Sequence, residues 1–254
     1  MAEQKPLAVI LLSGGMDSLL TAKLAAREHR IALLHVNYGQ RTEAAELRAF
    51  QAIADWFGVR HALAVHTNFY KMIGASALTD ENIPVPAGQL GREGIPVTYV
   101  PFRNGLLLSM AAAWAEALGA KKIFYGAVAV DSSGYPDCRE VFVEAMGKAI
   151  TAGTRPESGL SLETPLISLT KEDIVQLGID HKLPFELTWS CYQRNDLHCG
   201  VCDSCLLRKK GFEHAHRPDP TRYAPPASVR SAEDQRKIER LKILLKALAR
   251  DVAA

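Results

Sequence analysis

Two groups of residues in this chain have the types and spacing to do chemistry. The first is Ser13-Gly14-Gly15-Met16-Asp17-Ser18. It follows the apolar run 7–12 and leads into a helix whose Met16, Leu19, Leu20 and Leu24 share one face. A strand, a Gly-Gly turn and a helix start together make an anion site. The glycines let backbone approach a ligand closely, and free N–H groups at a helix N-terminus face negative charge. Ser13 and Ser18 add hydroxyl donors, and Asp17 can hold a divalent cation that bridges phosphates. No lysine follows the glycines, so this is not the Gly-x-x-x-x-Gly-Lys-Ser/Thr loop. The second group is Cys191, Cys199, Cys202 and Cys205, spaced Cys-x7-Cys-x2-Cys-x2-Cys. Four thiolates close a tetrahedral shell and suit a structural Zn²⁺, leaving no position for water. An iron–sulfur cluster takes the same ligands, and spacing alone does not separate the two. His198 adjoins this set without being needed by it, and Cys138 stands apart as a packing or substrate contact.

The elements that must position these residues follow a strand–helix rhythm. After the first helix, 31–36 reads as a strand ending in Asn37-Tyr38-Gly39-Gln40-Arg41. A helix over 43–57 with Gly58 at its C-terminal cap, then a strand over 61–65, continue the pattern. Such alternation implies parallel strands with right-handed crossovers, and ligands at the carboxyl ends of the strands. Residues 67–101 break the rhythm with prolines and glycines, a connection long enough to act as a lid or binding segment. Tyr99-Val100-Pro101-Phe102-Arg103-Asn104 opens a helix through Ala117 that Gly119 closes. A strand over 122–126, a helix over 141–152, a short strand over 162–166 and a helix over 171–177 capped by Thr170 follow. The expected organisation is an α/β domain over 1–185, a cysteine lobe over 186–216, a proline-rich linker over 217–228 and an amphipathic helix over 229–254.

Bulk composition narrows the function. The 254 residues, 48% hydrophobic and 23% charged, are ordinary for a globular enzyme able to bury a core. A formal charge of +2 gives no global case for binding a polyanion such as tRNA. The basic residues of the last helix read as a solvated face. No run approaches the apolar length of a membrane span, and the first residues do not form a signal-peptide pattern. Four of five cysteines crowded into 191–205 point to a metal site in a reducing compartment, hence the cytoplasm.

Taken together, several stretches resemble one family. Ser13–Ser18 is similar to the pyrophosphate loop of the N-type ATP pyrophosphatases, the PP-loop superfamily. Adding Tyr38-Gly39-Gln40-Arg41, Pro101-Phe102-Arg103-Asn104, Asp131-Ser132-Ser133-Gly134-Tyr135-Pro136-Asp137-Cys138-Arg139, Thr164-Pro165-Leu166, Ser190-Cys191-Tyr192 and Cys199-Gly200-Val201-Cys202-Asp203-Ser204-Cys205 narrows the resemblance to the QueC family of the queuosine pathway. They run in order over residues 7–212. Two departures stand out. Thr42 occupies a place where many members carry histidine, and the terminal helix has no counterpart in the pattern.

The resemblance implies a Rossmann-like adenine-nucleotide α-hydrolase-type sheet with helices on both faces and a small zinc lobe. It also implies a homodimer that converts 7-carboxy-7-deazaguanine, ammonia and ATP into 7-cyano-7-deazaguanine, with Mg²⁺ and structural Zn²⁺. Carried onto this sequence, Leu12, Ser13, Gly14, Gly15, Met16, Asp17, Ser18, Leu19 and Leu20 hold the nucleotide. Ser13, Asp17, Ser18, Lys171 and Arg103 act on the reacting phosphates or carboxylate, Lys171 competing with a reading as a solvated first-turn lysine. Substrate contacts fall to Tyr38, Gln40, Arg41, Phe102, Arg103, Asn104, Asp131, Gly134, Tyr135, Asp137 and Arg139. Asp131 or Asp137 is expected to accept the ring's donors, with Tyr135 or Phe102 stacking on it. Competing readings are another PP-loop ligase, a tRNA-modifying enzyme, and a non-catalytic zinc-knuckle binding module.

Overall fold

β1 (Leu7–Leu11) forms because five consecutive apolar residues can be buried on both sides of a sheet. Ala8 and Ile10 point into one core while Val9 and Leu11 point into the other, the period of two that a strand imposes. The computed structural model describes residues 5–91, 93–129 and 134–225. Asp131 and the helix expected over 229–254 lie outside these. Residues up to Arg222 make one compact unit, and the unit beginning at Tyr223 is described only to residue 225.

The chain continues through α1 (Met16–Ala25), β2 (Arg30–Asn37), α2 (Glu43–Phe57), β3 (His61–His66) and α3 (Phe69–Ile73). It then forms α4 (Arg103–Leu118), β4 (Lys122–Phe124), α5 (Glu140–Gly153), β5 (Ser161–Glu163), α6 (Lys171–Asp180) and α7 (Asp203–His214). All neighbouring strands pair in parallel, in the order β3-β2-β1-β4-β5. The order reverses between β1 and β4, so the loops leaving their carboxyl ends splay apart and open a crevice. α1 and α2 cover one face, α6 packs on α1 and α7 on α6, and Leu19, Phe50, Ile174 and Phe212 of these helices share one core with Ile10. Leu108, Ala111 and Ala115 of α4 and Ile150 of α5 cover the other. No helix among the described residues is long and apolar enough to cross a membrane.

Most elements follow the sequence pattern, with instructive differences. The fourth strand stops at Phe124, where the chain leaves the sheet and residues 125–128 line the crevice, and the fifth spans only 161–163. Residues 67–101 are partly anchored: Tyr70, Leu78 and Val100 are buried with Tyr38 in a small core of their own. Arg41 fixes this connection, donating from Nε to Ala77 O at 2.6 Å and from Nη2 to Asp80 O and Ile83 O at 2.7 Å.

Candidate active site

The turn after β1 needs glycine. Gly14 has φ +91°, and a Cβ there would lie 2.9 Å from both Ala49 Cβ and Glu46 O on α2. Gly15 is extended at the start of α1, which carries no side-chain cap, so its first-turn N–H groups stay available to an anion. Ser18 Oγ donates to Gly15 O at 2.9 Å and lies 3.2 Å from Ser13 Oγ, holding both hydroxyls at the mouth of the turn. Gly14→Ala is expected to lower Tm by about 5–10 °C, combining left-handed strain with overpacking against α2. Thermal denaturation checks this, and an unchanged Tm would mean that the turn relaxes freely.

Asp17, in the first turn of α1, meets Lys171, the first residue of α6. Lys171 Nζ stands 2.5 Å from Asp17 Oδ2, with side chains only 10% and 29% exposed. The lysine is therefore not solvated. A reciprocal capping box sets its direction: Thr170 Oγ1 accepts from Asp173 N–H at 3.1 Å, and Asp173 Oδ2 accepts from Thr170 N–H at 2.9 Å. α7 encloses it from behind, where a Cβ on Gly211 would come within 2.9 Å of Lys171 O. Asp17 Oδ1 is buried and finds no hydrogen-bond partner among the described residues. An orphaned carboxylate oxygen beside an anion loop fits a hard divalent cation.

Across the crevice, Arg103 opens α4. Its Nη1 donates to Tyr38 Oη at 2.9 Å, and its Nε and Nη2 reach Asn104 Oδ1 at 3.3 and 3.2 Å. The guanidinium also lies 5.4 Å from the Tyr38 ring centroid. No ion pair to a described carboxylate accompanies it. Burial pushes the Tyr38 phenol up to about 12, with Arg103 drawing it down, and burial likewise holds Tyr125 and Tyr192 well above the ordinary value. These phenols stay neutral at physiological pH and contribute no negative charge against the guanidinium. Asp137 Oδ2 accepts the Asn104 N–H at 2.9 Å, and Asn104 Nδ2 reaches Cys138 Sγ at 3.4 Å.

One cavity of about 270 Å³ joins these ends. Leu12, Ser13, Gly15, Met16, Asp17, Ser18 and Lys171 line it on the loop side, with Tyr38, Gln40, Arg41, Arg103, Asn104 and Tyr135 further along. Other residues named from the sequence lie outside its lining. Gly14, Leu19 and Leu20 support the loop from behind: Gly14 abuts α2, and the two leucines are buried in the core. Phe102 is 60% exposed, its backbone left-handed and its ring turned onto Phe142. Asp137 is 3% exposed beneath the start of α4, whereas Arg139 and Gly134 face solvent. Glu46, Tyr125, Trp189, Tyr192 and Arg208 also line the cavity and were not singled out from the sequence as site residues. Nothing local marks them, since an acid near a helix start or an aromatic in a loop is commonplace.

The four cysteine Sγ atoms lie within 4.8 Å of one another. Tetrahedral Zn–S bonds of about 2.3 Å would separate the sulfurs by about 3.8 Å, so the cluster is compatible with zinc. Amides of Gln193 and Cys199 donate to Cys191 Sγ at 3.3 Å, and that of Cys202 to Cys199 Sγ at 3.3 Å, stabilising thiolates. His198 stands aside: its Nε2 accepts from Ser190 N–H at 3.0 Å and its ring lies on Trp189 at 4.1 Å. Arg208, 1% exposed, ties this segment together through Thr188 Oγ1 at 2.6 Å and Asp219 at 3.1 Å.

Fold and site define a class: an α/β protein of the PP-loop type, with an anion loop, an acid and a buried lysine at the switch point of a parallel sheet. Residues 7–216 match the family described as "Queuosine biosynthesis protein QueC". A Koribacter versatilis protein named 7-cyano-7-deazaguanine synthase is 57% identical over 86% of this chain and 93% of its own length. Proteins of the same name from Sulfurovum sp. and Nautilia profundicola are 54% and 52% identical, each over 85% of this chain and 97% of the relative. The chain belongs to the QueC family.

Proposed function

We propose that this chain is an ATP-dependent carbon–nitrogen ligase that makes 7-cyano-7-deazaguanine from 7-carboxy-7-deazaguanine and ammonia. The observation that carries the reading is a single cavity with an anion loop and Asp17–Lys171 at one end and, at the other, an Arg103 that forms no ion pair with a described carboxylate. A carboxylate is a poor electrophile with a poor leaving group, and joining it to AMP corrects both faults.

Arg103 holds the substrate carboxylate, whose oxygen attacks the α-phosphorus of ATP while pyrophosphate departs. The loop amides, Ser13, Ser18 and Lys171 stabilise the charge that gathers on the leaving phosphates. Ammonia then attacks the acyl carbon, AMP leaves, nitrogen loses a proton, and an amide results. A second ATP adenylates the amide oxygen as pyrophosphate and one nitrogen proton leave, and loss of AMP and the remaining nitrogen proton gives the nitrile. Mg²⁺ held by Asp17 would supply further neutralisation of pyrophosphate. Zn²⁺ on Cys191, Cys199, Cys202 and Cys205 would serve structure, holding a cysteine lobe over 186–216 against the α/β domain of 1–185. The family resemblance supports a homodimer, and reduced cysteines support a cytoplasmic setting.

Mass spectrometry of protein incubated with 7-carboxy-7-deazaguanine, ATP, Mg²⁺ and an ammonium salt tests the reaction. Nitrile with matching AMP is the expected result. Folded, zinc-loaded protein that consumes no ATP would favour a binding module instead, and AMP without nitrile another carboxylate acceptor. Arg103→Lys keeps the charge but loses the planar fork, so KM for the carboxylated substrate should rise about 10- to 100-fold with KM for ATP little changed. Steady-state kinetics decide it, and a matching rise in both constants would remove Arg103 from the substrate side.

A further inference from the structure

Glu46 is the one carboxylate besides Asp17 that lines the cavity among the described residues, and the reaction above leaves it without a role. It stands in the first turns of α2, and its own carbonyl abuts Gly14 of the loop. Its side chain is held with unusual care. Thr42 precedes α2, where a threonine hydroxyl ordinarily accepts an N–H of the first turn. Here Thr42 Oγ1 makes no such cap and donates instead to Glu46 Oε1 at 2.6 Å. The first-turn amide of Ala45 is served at 3.0 Å by Asn195 Oδ1, from 150 positions away. On the other oxygen, Gln40 Nε2 donates to Glu46 Oε2 at 3.0 Å. Gln40 is itself fixed, only 4% exposed, with its Oε1 accepting the Tyr38 N–H at 2.8 Å.

Each carboxylate oxygen therefore accepts one protein donor and keeps further acceptor capacity. No described cation forms an ion pair with it. Burial raises the carboxyl's pKa, and Thr42, then His35, Gln40 and the Arg103 charge, draw it back down. Two fixed acceptor oxygens match a ligand edge that carries two donors side by side. The six-membered ring of 7-carboxy-7-deazaguanine has that edge in its N1–H and exocyclic amine, remote from the carboxylate assigned to Arg103. Adenine offers a donor beside a ring-nitrogen lone pair, which an ionised carboxylate would repel. Asp137, the sequence candidate for this task within the described residues, instead receives the Asn104 amide and does not line the cavity.

We propose that Glu46, positioned by Thr42 and Gln40, accepts the N1–H and 2-amino donors of the substrate and sets specificity for a guanine-type ring. This rests on the reaction proposed above. The test compares kcat/KM for 7-carboxy-7-deazaguanine with that for an analogue lacking the exocyclic amine, in wild type, Glu46→Gln and Glu46→Asp. Wild type should prefer the amine-bearing substrate by about 10- to 100-fold. Glu46→Gln turns an amide N–H toward one donor and should shrink that preference to within about threefold, with KM for ATP unchanged. Glu46→Asp keeps charge and helix but withdraws the oxygens by one methylene, and should also lose most of the preference.

Full preference retained in either folded variant would overturn the assignment. So would an equal loss on both substrates, which marks a structural role, or a rise confined to KM for ATP, which places adenine there. Wild type that forms no product from either compound would instead defeat the reaction itself, and this inference with it.

Discussion

Asp17→Asn is expected to lower kcat/KM by about a thousandfold, which is about 4 kcal/mol of transition-state stabilisation. The substitution preserves shape and removes one negative charge from a place where two functions meet. Oδ2 holds Lys171 at 2.5 Å, while Oδ1 is the buried oxygen without a described partner. The asparagine would offer the cation only a neutral ligand and would release the lysine from its fixed direction. With side chains 10% and 29% exposed, the pair is only partly screened, so its loss should also destabilise the fold. A second variant separates the effects. In Asp17→Asn/Lys171→Met both charges are gone, so Tm should recover toward wild type while kcat/KM stays at least as low as in Asp17→Asn. Kinetics and thermal denaturation on the two variants provide the check. Turnover within tenfold of wild type in Asp17→Asn would remove Asp17 from the reacting centre.

Removal of the cysteine-bound metal is expected to be as severe, by a different route. Structural Zn²⁺ sites carry apparent free energies of about 10–16 kcal/mol in isolated fingers, comparable to the whole stability of a domain. Cys191, Cys202 and Cys205 are each at most 1% exposed, so metal loss leaves a buried cluster of sulfurs with no ion to organise it. The same segment supplies Trp189, Ser190 and Tyr192 to the cavity and Asn195 to the start of α2. A chelator should therefore lower Tm by 10 °C or more, on the order of 3 kcal/mol or above for this size, and abolish turnover together. Cys202→Ser should behave alike. Metal analysis of untreated protein should find zinc without the visible absorption of an iron–sulfur cluster. Full activity in metal-free protein would overturn the structural role, and an iron–sulfur spectrum would reopen a sulfur-transfer chemistry.

These effects meet because the two groups of residues that stood out first are coupled by contacts between distant parts of the chain. Trp189 N–H donates to Gly14 O at 2.8 Å, so the cysteine segment touches the anion loop itself. Asn195 Nδ2 adds a bond to Arg41 O at 2.9 Å, and Gly88 N–H reaches Val201 O at 2.6 Å from the long connection. The connection over 67–101 is thus tied over residues 77–83 by Arg41 and at Gly88 by the cysteine segment.

The sequence by itself determined whatever depends on neighbours along the chain. A five-residue apolar strand, a Gly-Gly turn and a helix start dictate an anion loop because strand exit, positive φ and free first-turn amides are all local. Two-residue cysteine spacings gather four thiols able to hold a metal for the same reason, and Thr170 with Asp173 dictates the start of α6. The strand–helix alternation likewise set the parallel sheet and the edge on which the site sits. Only the tertiary structure decided where the polar side chains of that edge point. Arg41 was legible as a charge near the site, yet its guanidinium is engaged by three carbonyls 36 to 42 positions away. Phe102 stacks outward because its backbone is left-handed, and Asp137 turns under α4 to meet an otherwise unpaired amide. Glu46 looks in sequence like any acid in the first turns of a solvated helix. It lines the cavity with Thr42 and Gln40 bound to its carboxylate, while Asn195 accepts the first-turn amide of Ala45, a contact that no local spacing encodes.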